Sequence, residues 1–144
     1  MTSAAPVTIR CADWHDPADH ARLSGIRRAV FIIEQQVPEA LEWDDDDATA
    51  THLLAIDPAS GEAVGTARIL PDGRIGRVAV LRPWRGRGIG RMLLREAIAH
   101  CRQTPFLHAQ VQAMDFYRAE GFTPRGEIFD EAGIPHQLMV LTNT

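Results

Sequence analysis

The stretch that most restricts what this 144-residue chain can become runs from Ile75 to Arg102: IGRVAVLRPWRGRGIGRMLLREAIAHCR. Ile75 to Leu81 is apolar and β-branched, as a buried strand should be. Arg82-Pro83 breaks it, because proline donates no ladder hydrogen bond and biases its neighbour away from helix. A turn of alternating arginine and glycine follows, and then Ile89, Met92, Leu93, Ala97 and Ile98 recur at helical spacing. Strand, arginine-dense glycine turn and helix together make an anion site. Glycine lets main-chain N–H groups approach an anion without interference from Cβ. The first turn of the helix brings unpaired donors and the positive end of its dipole. Arg85, Arg87 and Arg91 add forked donors that stay charged and suit phosphate. Arg85, Gly86, Arg87, Gly88, Ile89, Gly90 and Arg91 therefore read as a pyrophosphate cradle.

Other anion-binding motifs fit less well. The dinucleotide fingerprint G-x-G-x-x-G needs glycine at position 91, where the chain has arginine. A Walker P-loop needs Gly-Lys-Ser/Thr, and all fifteen basic residues are arginine. Nucleic acid is disfavoured, since a single arginine cluster sits in a chain of formal net charge -4. A solvated Arg-Gly loop that only turns the chain is the bland reading of the same residues.

The length suits one domain, residues 1–144, with a core of its own. No apolar run approaches the ~20 residues that span a bilayer, and Met1–Pro6 lacks the basic start and apolar centre of a signal peptide. Cytoplasm is the default expectation, with no membrane partner. Cys11 and Cys101 have no metal spacing and are expected as buried, reduced thiols. No metal site is expected.

Taken in order, Val7–Cys11 alternates like a strand, and Asp19 is a candidate cap for a helix carrying Leu23, Ile26, Ala29, Val30 and Ile33. That helix should end near Glu34-Gln35-Gln36, before Pro38. Leu41–Thr49 reads as a loop around Asp44-Asp45-Asp46-Asp47, whose carboxylates repel one another and favour solvated backbone. An amine-attracting rim is the second reading of that run. Strands over Thr51–Ile56 and Ala63–Leu70 precede the central one, with a hairpin at Pro71-Asp72-Gly73. These three strands should form an antiparallel meander. After the central helix come a strand over Phe106–Val111, expected parallel to the central one through a right-handed crossover, and a short helix over Gln112–Glu120. Strands over Thr123–Phe129 and His136–Leu141 close the chain. His52 and His136 sit on or beside strands, and histidine titrates near neutrality.

Arg85-Gly86-Arg87-Gly88-Ile89-Gly90, following Val78-Ala79-Val80, resembles the acetyl-CoA motif Gln/Arg-x-x-Gly-x-Gly/Ala of the GNAT acetyltransferases. Ala113-Met114-Asp115-Phe116-Tyr117-Arg118-Ala119-Glu120-Gly121-Phe122 resembles that family's Ala-x-x-Phe-Tyr-x-x-x-Gly-Phe segment, in the usual order and at about the usual separation. Val30-Phe31-Ile32-Ile33-Glu34-Gln35 is similar to the small ElaA-like branch.

The resemblance implies an α/β fold: a mixed, mostly antiparallel sheet of about six or seven strands flanked by helices. A parallel pair splays apart at the cofactor site. It implies an acetyl-CoA-dependent N-acetyltransferase that moves acetyl to a small-molecule or peptide amine by direct attack in a ternary complex. Val78, Ala79 and Val80 would align pantetheine and the arginine–glycine turn would hold pyrophosphate. Gln110, where many relatives carry Asn, would meet cofactor oxygens. Tyr117, the only tyrosine, falls on the position that donates to the departing thiolate. The base is less defined, because Ile75–Val80 lacks the carboxylate that many relatives carry there. Glu34, with Gln35 at the corner bordering the acceptor groove, is the best substitute. Arg77, His52 and His136 complete the acceptor candidates, with Arg77 facing a substrate carboxylate or solvent. A homodimer is compatible with the family. A non-catalytic acyl-CoA-binding regulatory module is the alternative, and a basic-loop module for phosphorylated partners is a third.

Overall fold

The computed structural model describes residues 6–142. Seven strands and four α-helices follow one another, with the helices on both faces of a split sheet. In the first half, β1 (Thr8–Ala12), β2 (Thr51–Ile56), β3 (Ala63–Ile69) and β4 (Ile75–Val80) form an antiparallel sheet in chain order. In the second, β5 (Phe106–Gln110), β6 (Phe122–Glu131) and β7 (Ile134–Leu141) form an antiparallel sheet with β7 in the middle. The halves meet at a single parallel bridge, Arg74 with Phe106. Beyond that bridge β4 and β5 diverge, which is the expected splayed pair.

The divergence has a backbone cause. The register between β3 and β4 slips between Thr66 and Arg68, where β4 carries one extra residue. Arg77, at that bulge, sits at φ 53, a left-handed conformation that arginine rarely adopts. A bulge bends its strand and breaks the ladder locally.

The helix α1 (Pro17–Arg27) begins at Asp16, whose carboxylate accepts from the Asp19 nitrogen, with Pro17 in the first turn. Asp19 is therefore not the cap. It pairs instead with Arg10 of β1 at 2.8 Å, pinning helix to strand. Leu23 and Ile26 are buried, and the chain then continues as a π-helical turn, Arg28–Glu34, instead of simply stopping. Leu23, Ile26, Val30 and Phe31 pack over Leu54 and Ala79 on one face of the sheet. On the other face lies α3 (Ile89–His100), with Ile89, Leu93, Leu94 and Ala97 buried against Leu53, Ala55 and Ala67. Gly65 permits this approach, since a Cβ there would stand 2.9 Å from Leu93 Cδ1.

Leu41–Thr49 is not the irregular loop expected. It holds α2 (Glu39–Glu42) and a 3-10 turn at Asp45–Ala48. The last two strands reach further than expected and leave only a tight turn at Ala132-Gly133. The helix α4 (Met114–Ala119) is shorter than read, because Val111–Ala113 is a 3-10 turn. Both cysteines are free, and Cys11 is exposed rather than buried. No helix among the described residues is long and apolar enough to cross a membrane.

Candidate active site

At the end of β4 a short 3-10 turn, Arg82–Trp84, leads into the glycine loop. Gly86 and Gly88 take φ 79 and φ 80, and Gly88 is the N-cap of α3. Among the described residues, the nitrogens from Gly86 to Arg91 have no acceptor within the protein, while Met92 N bonds the Gly88 carbonyl. Several amides at the positive end of a twelve-residue helix are thus left for an external anion. Arg87 stacks over Trp84 at 4.7 Å, and Arg91 is 3.7 Å from Glu120. Ile89 can offer only its amide, because its side chain is buried. Arg85 is already engaged: Nε donates to the Val80 carbonyl at 2.9 Å and both Nη atoms donate to Glu34 at 2.6 and 2.7 Å. It ties the loop to the end of the π turn.

Beside the loop, β4 and β5 part around a cavity of about 530 Å³. Gly76, Arg77 and Val78 line it from β4, and Leu107, His108 and Gln110 from β5. Tyr117 lines it from α4. Its hydroxyl has no partner among the described residues, and burial pushes its phenol up to about 12. Gln110 donates to Gln35 at 2.8 Å and accepts from Gln112 at 2.9 Å, so an amide chain spans the two halves of the cleft.

Under the cavity lies a charge cluster, buried except for Asp44 and the edge of Arg77. Arg27 donates to Glu42 at 2.8 Å and to Asp47 at 2.7 Å, and Arg68 donates to Asp44 at 2.7 Å and Asp47 at 3.0 Å. Arg77 donates to the Glu42 carbonyl at 2.9 Å, with Nε 3.0 Å from that residue's carboxylate. Three guanidinium groups meet three carboxylates, and Trp14 and Trp43 lie against Arg27. Arg77 is thus neither a free hook for a substrate carboxylate nor a solvent-facing side chain, although its edge borders the cavity.

Compared with known proteins, residues 17–143 match the family described as "Acetyltransferase (GNAT) domain". The chain belongs to the GNAT acetyltransferase family. Protein ElaA of Escherichia coli is 32% identical over 143 residues, covering 86% of this chain and 92% of ElaA. The Bacillus subtilis protein YyaT is 37% identical over 122 residues, covering 79% and 82% of the two chains. The crystal structure of E. coli ElaA superposes with a TM-score of 0.81 at 30% identity, over 94% of this chain and 99% of that one. An acyl-CoA N-acyltransferase from Pseudomonas aeruginosa gives the same TM-score at 26% identity, over 94% and 99%.

This GNAT protein is accordingly an acyltransferase that uses acetyl-CoA. Its residues fit the cofactor: free loop amides suit a diphosphate, and β4, paired on one edge only beyond Arg74, offers main-chain groups to pantetheine amides. A Gly88→Ala substitution should raise the Kd for coenzyme A about tenfold, because the free loop then relaxes out of the left-handed conformation that binding must restore. Alanine at that φ costs roughly 1–2 kcal/mol, and 1.4 kcal/mol is about a factor of ten. Nothing lies within 4 Å of the added Cβ, so titration calorimetry reports the loop's shape and not a clash. An unchanged Kd would remove the loop from the binding site.

Within this GNAT fold, two acceptor candidates are displaced. His52 does not reach the cavity. It is buried, stacks on Trp14, and donates from Nε2 to the Asp47 carbonyl at 2.8 Å, while desolvation lowers its pKa. Glu34 does not line the cavity either. The hydrogen bonds from Arg85, assisted by Arg82, hold its carboxyl down at about 2, so it takes up no proton near neutrality. His136 and Gln35 do border the cavity. Sequence reasoning missed His108, Glu131 and Arg74, which also line it. Alternation along β5 was the available signal, since Leu107 and Ala109 are buried while His108 and Gln110 face the other way.

Proposed function

We propose that the protein acetylates a primary amine by direct attack within a ternary complex, with Tyr117 as the acid. The observation that carries this reading is the unpartnered Tyr117 hydroxyl on the wall of the cleft where β4 and β5 separate. Acetyl-CoA, when bound, supplies an activated thioester. The chain's own tasks are then to align it, admit the amine and favour departure of sulfur. Gly86 to Arg91 would fix the diphosphate end, and Val78 to Val80 the pantetheine arm. Gln110, braced by Gln35 and Gln112, supplies an amide beside that arm.

Tyr117 stays protonated across the working range, because burial has raised its pKa. A hydrogen bond aimed at developing negative charge on sulfur is enough, since complete proton transfer to a thiolate of pKa ~8.5 would be uphill. The acceptor side is partly apolar, through Phe31, Val37 and Ile134, and partly charged, through Glu131.

The test is release of free coenzyme A thiol from acetyl-CoA across a panel of alkylamines, arylalkylamines, polyamines, amino sugars and short peptides. At least one amine should give turnover and an acetylated product by mass. Tight coenzyme A binding with no turnover on any of them would favour the non-catalytic module.

A further inference from the structure

One basic side chain in the cavity takes no part in holding the cofactor or in protonating the departing sulfur. His108 stands on β5 two residues before Gln110. Its Nδ1 lies 2.9 Å from Oε1 of Glu131. Burial works to raise the Glu131 carboxyl, but the hydrogen bond from His108 and the charge of Arg74 outweigh it and keep the group below its usual range. A carboxylate so ionised only accepts, so Nδ1 carries a proton and, in the neutral ring, Nε2 holds the lone pair.

Nε2 has no partner among the described residues and is not sealed from solvent. It is therefore open to the cavity that His108 lines. The charged and titratable groups around that space are Glu131 of β6, His136 of β7, Arg77 of β4 with Arg74 just before it, Arg68 of β3, Glu42 of α2 with Asp44 just after it, and Tyr117 of α4. His136 is placed differently. Its Nδ1 donates to the Ile134 carbonyl at 2.7 Å, and its Nε2 faces Glu131 at 3.7 Å from a nearly buried ring.

We propose that His108 is the general base that readies the acceptor, with Glu131 as the residue that positions it. This rests on the reading of the acceptor as a primary amine. In the step, the N–H bond of an ammonium group breaks and its proton forms a bond to Nε2. The electron pair of that bond stays on the amine nitrogen, which becomes the nucleophile. No bond to carbon changes, and the imidazolium passes its proton to water at the cavity mouth. Glu131 keeps the ring in the tautomer that accepts, and Arg74, 3.5 Å from Oε1, keeps Glu131 in place.

The test uses the fastest amine of the panel. At pH 7, His108→Gln should lower kcat/KM for that amine roughly 100-fold, with the deficit closing as pH rises toward the amine's own pKa. Binding of coenzyme A and the melting temperature should stay at wild-type values. Added imidazole should restore part of the rate in His108→Ala. Glu131→Gln should move the acid limb of the profile to lower pH, because a negative charge beside the ring is gone. Nitrogen NMR of the wild-type imidazole should show the proton on Nδ1.

If His108→Gln keeps both its rate and the acid limb, the inference is wrong while the acetyltransferase reading survives. If the wild-type protein acetylates no amine, both are wrong. Should His108→Gln melt early, the Glu131→Gln profile decides: an unmoved acid limb would overturn the assignment.

Discussion

Asp47→Ala should lower the unfolding free energy by about 3–5 kcal/mol, as removal of one partner from a buried ion pair generally does. Asp47 is buried and receives hydrogen bonds from Arg27 at 2.7 Å and Arg68 at 3.0 Å, both of them buried as well. Truncation leaves two guanidinium groups short of an acceptor in a site with little water. It also uncaps the 3-10 turn, where the Asp47 carboxylate accepts from the Asp44 nitrogen. Urea titration at pH 7 measures the loss, and a decrease under 1 kcal/mol would mean that water enters the cluster freely.

The same residue predicts an acid dependence. Burial alone would raise the Asp47 carboxyl, but the hydrogen bonds and charges of Arg27 and Arg68 prevail and its pKa is lowered. The folded form therefore binds the proton less readily than the unfolded chain. The contribution is complete above the ordinary aspartate value of ~3.9 and is lost as pH falls through the lower folded value. In Asp47→Asn the urea midpoint should depend less on pH in that range than in the wild type.

Tyr117→Phe should reduce kcat about 100-fold at saturating acetyl-CoA, within the span typical of a general acid. The phenol's ring packs beside Phe116 and Phe122, at 5.1 and 6.1 Å between centroids. Phenylalanine keeps that packing and removes only an oxygen that bonds nothing among the described residues. Melting temperature and KM for acetyl-CoA should consequently change little. Steady-state kinetics with the fastest amine separates the two parameters. A variant with unchanged kcat would remove Tyr117 from the chemistry.

What the residues disclosed in advance follows how local each constraint is. The turn from Arg85 to Gly90 was legible because Pro83 and two glycines at positive φ set its path within a few residues. Tyr117 was legible through the order of its neighbours, and the strand-hairpin-strand around Pro71-Asp72-Gly73 through turn chemistry. The inward turn of Asp47 was not, because it depends on Arg27 and Arg68, twenty and twenty-one residues away. Glu34 was misjudged for the same reason: its partner Arg85 is fifty-one residues distant. Asp19 read as the helix cap, but Arg10 across the fold holds its carboxylate and Asp16 caps the helix instead. The π turn has no simple period, so the pattern through Ile33 read as plain helix.

The lone bridge between Arg74 and Phe106 makes the two strand sets resemble covers joined at a spine. No strand among the described residues closes the opposite margin of β4, so a guest threaded there would supply the missing rungs. Occupancy and cohesion then rise together, by RT ln(1 + [L]/Kd) for a guest that prefers the folded form. In a cell rich in the cofactor, the durable species would be the loaded one.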